Sequence, residues 1–344
     1  MDLQIALLLG QDGIVNGAIY ALLALALVLV FAVTRVIFIP QGEFVAYGAL
    51  TLASFQTGQT PGTLWLLLAF GVAVTLIDAP ASLRIGKGRF MRLLGWQIVY
   101  PFVITVLVLG TGAKDWPMLL QVVLALAIVV PLGPQLYRLA YQPIAEAPVL
   151  VLLIVSVAVH LALVGLGLLF FGAEGSRTPA FSETSIDIGG LTITGQSLWV
   201  VGASALLIVA LYFFFEKSLY GKALRATAVN RAGARLMGIS TTLAGKLTFL
   251  LAAAIGALSG VLIAPITTVY YDTGFLIGLK GFVGAIVGGL ASYPVAAAGA
   301  VLVGLLESFS SFWASAFKEV IVFTLIIPVL VWRSLTTHHV EEDE

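Results

Sequence analysis

The sequence predicts an all-α, polytopic helical membrane protein, and three observations carry that prediction. Of 344 residues, 60% are hydrophobic and only 10% are charged. The mean hydropathy is +1.09. Apolar runs approaching the roughly 20 residues that cross a bilayer recur from end to end. A soluble core of this size needs far less apolar surface. The formal net charge is zero, so the overall balance points to no nucleic-acid partner, and membrane lipid is the expected surrounding. There is no cysteine, which excludes disulfides, thiolate metal sites and cysteine nucleophiles together. The first apolar run is full length with no basic segment before it, so no cleavable leader is expected. The chain reads as one transmembrane domain over 1–344, with a disordered tail at 336–344.

Gly13 to Val33 is the first predicted span. Gly13 and Gly17 form a GxxxG pair suited to close helix packing, and Asn16 and Tyr20 lie one turn apart. Arg35 closes this helix, and Pro40 and Gly42 break continuity after it. Glu43 to Thr57 is a second apolar run, short unless the broken part dips into the membrane. The third runs from Leu64 to Ile77 and is followed by a compact basic loop, Leu83–Arg92. Further spans are predicted over Gln97–Leu109, Met118–Tyr137, Val149–Phe171, Ser197–Phe215 and Leu243–Ile263. Arg138–Glu146 is a polar connector, and 172–196 is the longest non-basic loop. Phe275–Leu290 is short and interrupted by Gly278, Gly281, Gly284, Gly288 and Gly289; Val295–Phe312 and Val320–Trp332 complete the set. The count is eleven if Phe275–Leu290 crosses and ten if it is re-entrant; Arg333, after the last span, favours eleven.

Alternate crossings from an N-terminus placed outside put Leu83–Arg92, Arg138–Glu146 and Glu216–Thr242 on one side. These loops hold most of the Lys and Arg, so that side is expected to be cytoplasmic. The stretch 216–242 is the one long basic interruption, with Lys217, Lys222, Arg225, Arg231 and Arg235 against Glu216. Its middle reads as a short amphipathic helix. Val229, Ala232, Gly233, Leu236 and Met237 fall on one side, Thr227, Asn230, Arg231 and Arg235 on the other, and Gly238 supplies a stop. Composition alone favours a solvated, topology-setting loop; a charged helix held between spans also suits docking of a cytoplasmic partner.

A charge near the bilayer centre costs about 2.5–3.5 kcal/mol on insertion scales, so each one invites a partner or a cavity. Glu43 and Lys280 sit in two glycine-broken segments, PQGEFVAYGALTLAS and GLKGFVGAIVGGLAS, that resemble each other. Paired, interrupted segments point to a transport site at a repeat interface, and the expectation is that Glu43 and Lys280 approach each other across the bundle. The alternative is that both snorkel to the interface. His160 reads as hydrogen-bonded packing, Glu307 and Asn16 as interhelical hydrogen-bonding groups or cavity lining, and Asp272 with Tyr270 and Tyr271 as outer surface.

Catalytic machinery is missing from the sequence. Gly238 to Leu247 has six residues between its glycines and Leu where a phosphate loop needs Ser or Thr. His160, His338 and His339 cannot form a metal site, and there is no HExxH or GxSxG. An intramembrane enzyme would need a nucleophile and base that do not stand out. The chain is a conduit without a motor, so transport is either gradient-driven, by a self-contained secondary transporter or channel, or powered by another polypeptide.

Three stretches resemble the inner-membrane permeases of branched-chain amino acid ABC importers, specifically the LivH-like half. They are GIVNGAIYALLALALVLVFAVTRVIFIPQGEFVAYGAL, YRLAYQPIAEAPVLVLLIVSVAVHLAL, and the long run from Gly221 to Ser308. The resemblance implies an ABC importer permease fold in a bacterial inner (plasma) membrane, where the N-terminus that the charge pattern puts outside is periplasmic. It implies cytoplasmic ATPase subunits that bind ATP and Mg, a second permease subunit (LivM-like) or a homodimer, and a periplasmic substrate-binding protein. No cofactor is implied for this chain itself. The substrates implied are branched-chain or related hydrophobic amino acids, with urea or short amides as the alternative. The loop 216–242 becomes a coupling loop, its contact carried by Arg225, Val229, Arg231, Ala232, Gly233, Arg235, Leu236 and Gly238. Candidate pathway residues are Asn16, Gln41, Gly42, Glu43, Lys280, Gly288 and Gly289. The chain departs from the family pattern at Phe38, Ile39 and Pro40, in a longer and more hydrophobic 83–117 region, and in its C-terminal finish.

Overall fold

A computed structural model describes residues 3–188, 191–290 and 292–336; the expected tail, with His338 and His339, lies from 337 onward outside the described residues. The chain folds into α1 (Leu3–Thr34), α2 (Gln41–Thr57), α3 (Thr63–Ile85), α4 (Lys87–Thr111), α5 (Met118–Ile144), α6 (Val149–Phe171) and α7 (Gly195–Lys217). Two short helices, α8 (Leu219–Val229) and α9 (Arg231–Leu236), follow. Then come α10 (Thr241–Ile263), α11 (Thr273–Val287), α12 (Tyr293–Trp313) and α13 (Ser315–Trp332). Among the described residues, nine helices are long and apolar enough to cross a membrane. Helices dominate because backbone groups in hydrocarbon must be satisfied within their own segment. Apart from an isolated bridge between Ser176 and Val269, strand pairing among the described residues is an antiparallel hairpin, Ser185–Ile188 with Leu191–Thr194, between α6 and α7.

Several element boundaries differ from the sequence pattern. Leu83–Arg92, expected as a loop, is helical except at Gly86, whose φ of 147° separates α3 from α4. Lys, Arg, Leu and Met are good helix formers, so positive charge alone does not open a loop. Arg138–Glu146, expected as a connector, stays helical to Ile144 through a wide π turn at Tyr137–Tyr141. The single amphipathic helix expected within 216–242 divides at Asn230, an extended residue whose side chain accepts a 2.7 Å bond from the Gly233 N–H and so starts a second helix. Thr227, assigned to the polar side, is buried and donates back to the Ala223 carbonyl.

The buried centre is α1, packed along its length on α12. Gly13 and Gly17 lie against the backbones of Leu305 and Val301, and Gly304 fits between them. α2 is wedged against α10 in the same way, with Gly48 on Ala257 and Gly260 on Val45. Phe38, one of the departures from the family pattern, fills the bend before α2 and meets Phe249 edge-on at 4.7 Å. One end of the bundle gathers Arg138 with Asp78 at 2.6 Å, Arg235 with Glu146 at 2.9 Å, and Arg231 with the Ala145 carbonyl. The other end gathers the hairpin, the start of α1 and the loop after α10, where Arg177 donates to the Pro265 carbonyl.

Candidate functional site

Two helices begin inside the bundle. The Gln41 amide donates to the carbonyl of Ala252, the twelfth of 23 residues in α10, so the start of α2 lies near mid-depth. Gly42 packs against Gly274 and Gly278, while Ala46 lies beside Gly274, so the first turns of α2 and α11 overlap in antiparallel sense. From this crossing α2 runs toward the hairpin end. α11 runs toward the opposite end, where Gly288 packs on Ala296 and Tyr293 stacks on Phe215 at the foot of α7. The loop 264–272 and α11 together therefore cross the bundle, half as loop and half as helix. Interrupted helices of this kind place helix N-termini, with their partial positive charge, at membrane depth.

Glu43 sits in the first turn of α2 with no exposed surface. One carboxylate oxygen is 2.9 Å from His160 Nδ1, and the other has no hydrogen-bond partner among the described residues. His160, 8% exposed, stacks on Phe275 with centroids 4.4 Å apart. A small apolar void beside Glu43 is walled by Phe44, Tyr47, Leu66, Phe70 and Leu163, and Tyr47 donates to the Leu163 carbonyl at 2.7 Å.

Glu43 and Lys280 do not meet, which overturns the expected pairing. Lys280 lies two turns into α11, which leads away from the crossing. Its Nζ is 2.5 Å from Glu307 and 3.1 Å from Glu319, and Tyr20 donates to the second oxygen of Glu307 at 2.6 Å. Each charge found its own counter-group because a buried ion must be paired close at hand. Glu319 and Tyr20 had carried no signal in the sequence beyond Tyr20's spacing from Asn16.

Glu307 also borders a cavity of about 720 Å³ at the hairpin end, lined by Asn16, Asp12, Arg177 and Lys318 among polar groups and by Leu8, Leu9, Val15 and Ile266 among apolar ones. Of the candidate pathway residues, Gln41, Gly42 and Glu43 share the crossing, Asn16 lines this cavity, and Lys280 lies behind Glu307. Gly288 and Gly289 instead form the turn ending α11, Gly289 with a φ of 62°.

At the opposite end, α8 and α9 present an unusual surface. Val229, Leu236 and Met237 are 82–89% exposed. Arg225 and Arg235 are exposed beside them, Arg231 is tied to the Ala145 carbonyl, and Ala234 is the residue of α9 that packs inward. Ala232 is exposed and Gly233 half-buried. Gly238, with a φ of 80°, bonds back to Arg235 and ends the turn. Among the described residues, no group of three or more His, Asp or Glu is placed to hold a metal ion.

Known proteins with this pattern are transport components. The branched-chain amino acid transport system permease component family matches residues 11–330. The high-affinity branched-chain amino acid transport system permease protein LivH of Escherichia coli K12 is 27% identical over 338 residues, covering 93% of this chain and 91% of that protein. The permease protein BraD of Pseudomonas aeruginosa is 27% identical over 293 residues, 82% of this chain and 94% of the relative. A probable LivH of Methanocaldococcus jannaschii is 29% identical over 186 residues, 52% of this chain and 59% of the relative. This multi-pass membrane protein, built around two helices that begin inside its bundle, belongs to the branched-chain amino acid transport system permease component family.

Proposed function

We propose that the chain is the membrane permease subunit of an ATP-driven importer that moves branched-chain or related hydrophobic amino acids across a bacterial inner membrane. ATP and Mg are bound by cytoplasmic ATPase partners, and the chain performs no bond chemistry. The loop 216–242 is the coupling element; its end of the bundle is cytoplasmic, which leaves the start of α1 periplasmic. A periplasmic binding protein delivers substrate at the hairpin end, and a second permease subunit completes the pore. The observation that carries this reading is the α8–α9 surface. Exposed Val229, Leu236 and Met237 stand among arginines on a capped, bundle-anchored helix pair. Apolar side chains surrounded by polar ones at an aqueous end mark a protein-docking face. Consistent with it, the sequence holds no nucleotide-binding motif of its own, so an ATP-driven mechanism places the motor on another polypeptide.

The test is leucine uptake into proteoliposomes. Uptake requires the ATPase, the binding protein and ATP, and the purified chain alone gives none under an imposed proton or sodium gradient. Gradient-driven flux through the chain alone contradicts the importer reading and favours a secondary transporter.

A further inference from the structure

We propose that the substrate pathway runs along the face where α6 meets the start of α11, and that Asp272 receives the ammonium group of a zwitterionic amino acid there. This rests on the importer reading and names the chemistry of its pathway.

His160 is the twelfth of the 23 residues of α6, and its ring stacks on Phe275. Tyr271 packs on Gly167, seven residues further along α6, which is about 10 Å at 1.5 Å per residue. Asp272 therefore lies between mid-depth and about 10 Å from it, inside a hydrocarbon half-thickness of about 15 Å. Yet Asp272 is exposed, and its carboxylate makes no hydrogen bond or ion pair among the described residues. The sequence pattern had put it at the outer surface with Tyr270; the fold draws it inward because the loop after α10 returns to the crossing. An exposed, unpaired acid at this depth is costly against lipid, and water or a ligand relieves that cost.

The surroundings fix the ligand's chemistry. His160, which holds one Glu43 oxygen while the other has no partner among the described residues, stacks on Phe275, three residues from Asp272. The unpaired Asp272 carboxylate favours a cation. The first turn of α11 directs its N–H groups toward the hairpin end, beside Asp272, and favours an anion there. Phe275 and the exposed Leu276 add apolar wall. A molecule carrying an ammonium, a carboxylate and an apolar side chain answers all three. Urea and short amides carry no charge for Asp272 to read.

Because the chain lacks cysteine, single cysteines report directly. In the assembled importer in proteoliposomes, Asp272→Cys should react with a cationic, membrane-impermeant methanethiosulfonate at least about fiftyfold faster than Leu206→Cys, because a charged reagent is excluded from hydrocarbon. Leu206 is the matched control, the twelfth of 23 residues of α7 and 71% exposed. With Asp272 intact, leucine should slow modification of Leu276→Cys by about tenfold or more, while isocaproate, which lacks the ammonium, should not. Adding Asp272→Asn should abolish the protection and Asp272→Glu should keep it. Three results overturn the proposal. Asp272→Cys is as inert as the control; it reacts in the isolated chain but is shielded in the importer with or without leucine, which makes the face a subunit interface; or isocaproate protects as well as leucine. Loss of leucine uptake by the unmodified importer counts instead against the function, since water access at residue 272 is read without transport.

Discussion

Gly42 and Gly274 lie back to back where the first turns of α2 and α11 cross, and a Cβ on either would strike the other's carbonyl. The crossing is a backbone-to-backbone contact with no flexible side chain to give way. Gly42→Ala and Gly274→Ala are each expected to destabilise the detergent-solubilised chain by about 1–3 kcal/mol, the usual cost of overpacking. Gly10→Ala, with nothing within 4 Å of the added carbon, should leave the melting temperature unchanged. Equal shifts in all three would show that α2 and α11 do not meet as described.

Among the described residues, His160 is the one hydrogen-bonding partner of the buried Glu43 carboxylate. Truncating it to Ala leaves that carboxylate with both oxygens unbonded, a loss of about 3–5 kcal/mol for a buried pair. The double change His160→Ala with Glu43→Leu removes the orphaned group as well and should cost less than His160→Ala alone. Additive losses in a thermal-stability double-mutant cycle would rule the pair out.

Lys280 joins α11 to α12 and α13 through Glu307 and Glu319. Lys280→Met leaves two carboxylates without their cation and should be the more damaging change, by about 3–5 kcal/mol. Tyr20→Phe removes one hydrogen bond and should cost about 1 kcal/mol. The exchange Glu43→Lys with Lys280→Glu should be no better than either single change, because each residue has a different partner. Rescue by the exchange would restore the pairing that the geometry denies.

What the sequence made legible follows its physics. Apolar run length located the spans of α6, α7 and α10 closely, because burial in lipid writes itself into every residue of a span. Interrupted segments around Gly42 and Gly278 marked the right pair of helices. Their alignment then misled, matching Glu43 with Lys280, when the contact actually joins Gly42 to Gly274. A register between two antiparallel helices depends on which backbones can touch, and a pattern of glycines offers several solutions. Asp272 reads as outer surface from its tyrosine neighbours and is exposed in the structure; the return of the loop after α10, pinned by Val269 on Ser176 and carrying Tyr271 onto Gly167, is not written in that pattern. In the basic stretch, Asn230 was counted as one more polar position, and its capping bond to Gly233 emerged only with the backbone.

In the proposed importer α8 and α9 transmit ATP hydrolysis to the bundle, and Leu236 tests that role most directly. At 89% exposure, its side chain contributes little to the fold of this chain, so Leu236→Asp should insert and melt as the unmodified protein does. Gly233→Glu serves as a second probe, although it also crowds the Asn230 cap. The decisive measurement is ATP-driven leucine uptake beside ATP hydrolysis in proteoliposomes holding the complete importer. The expected result is that both variants assemble in the membrane while uptake falls to background and hydrolysis no longer responds to loaded binding protein. Unchanged uptake in both variants would contradict the assignment of 216–242 as the coupling element.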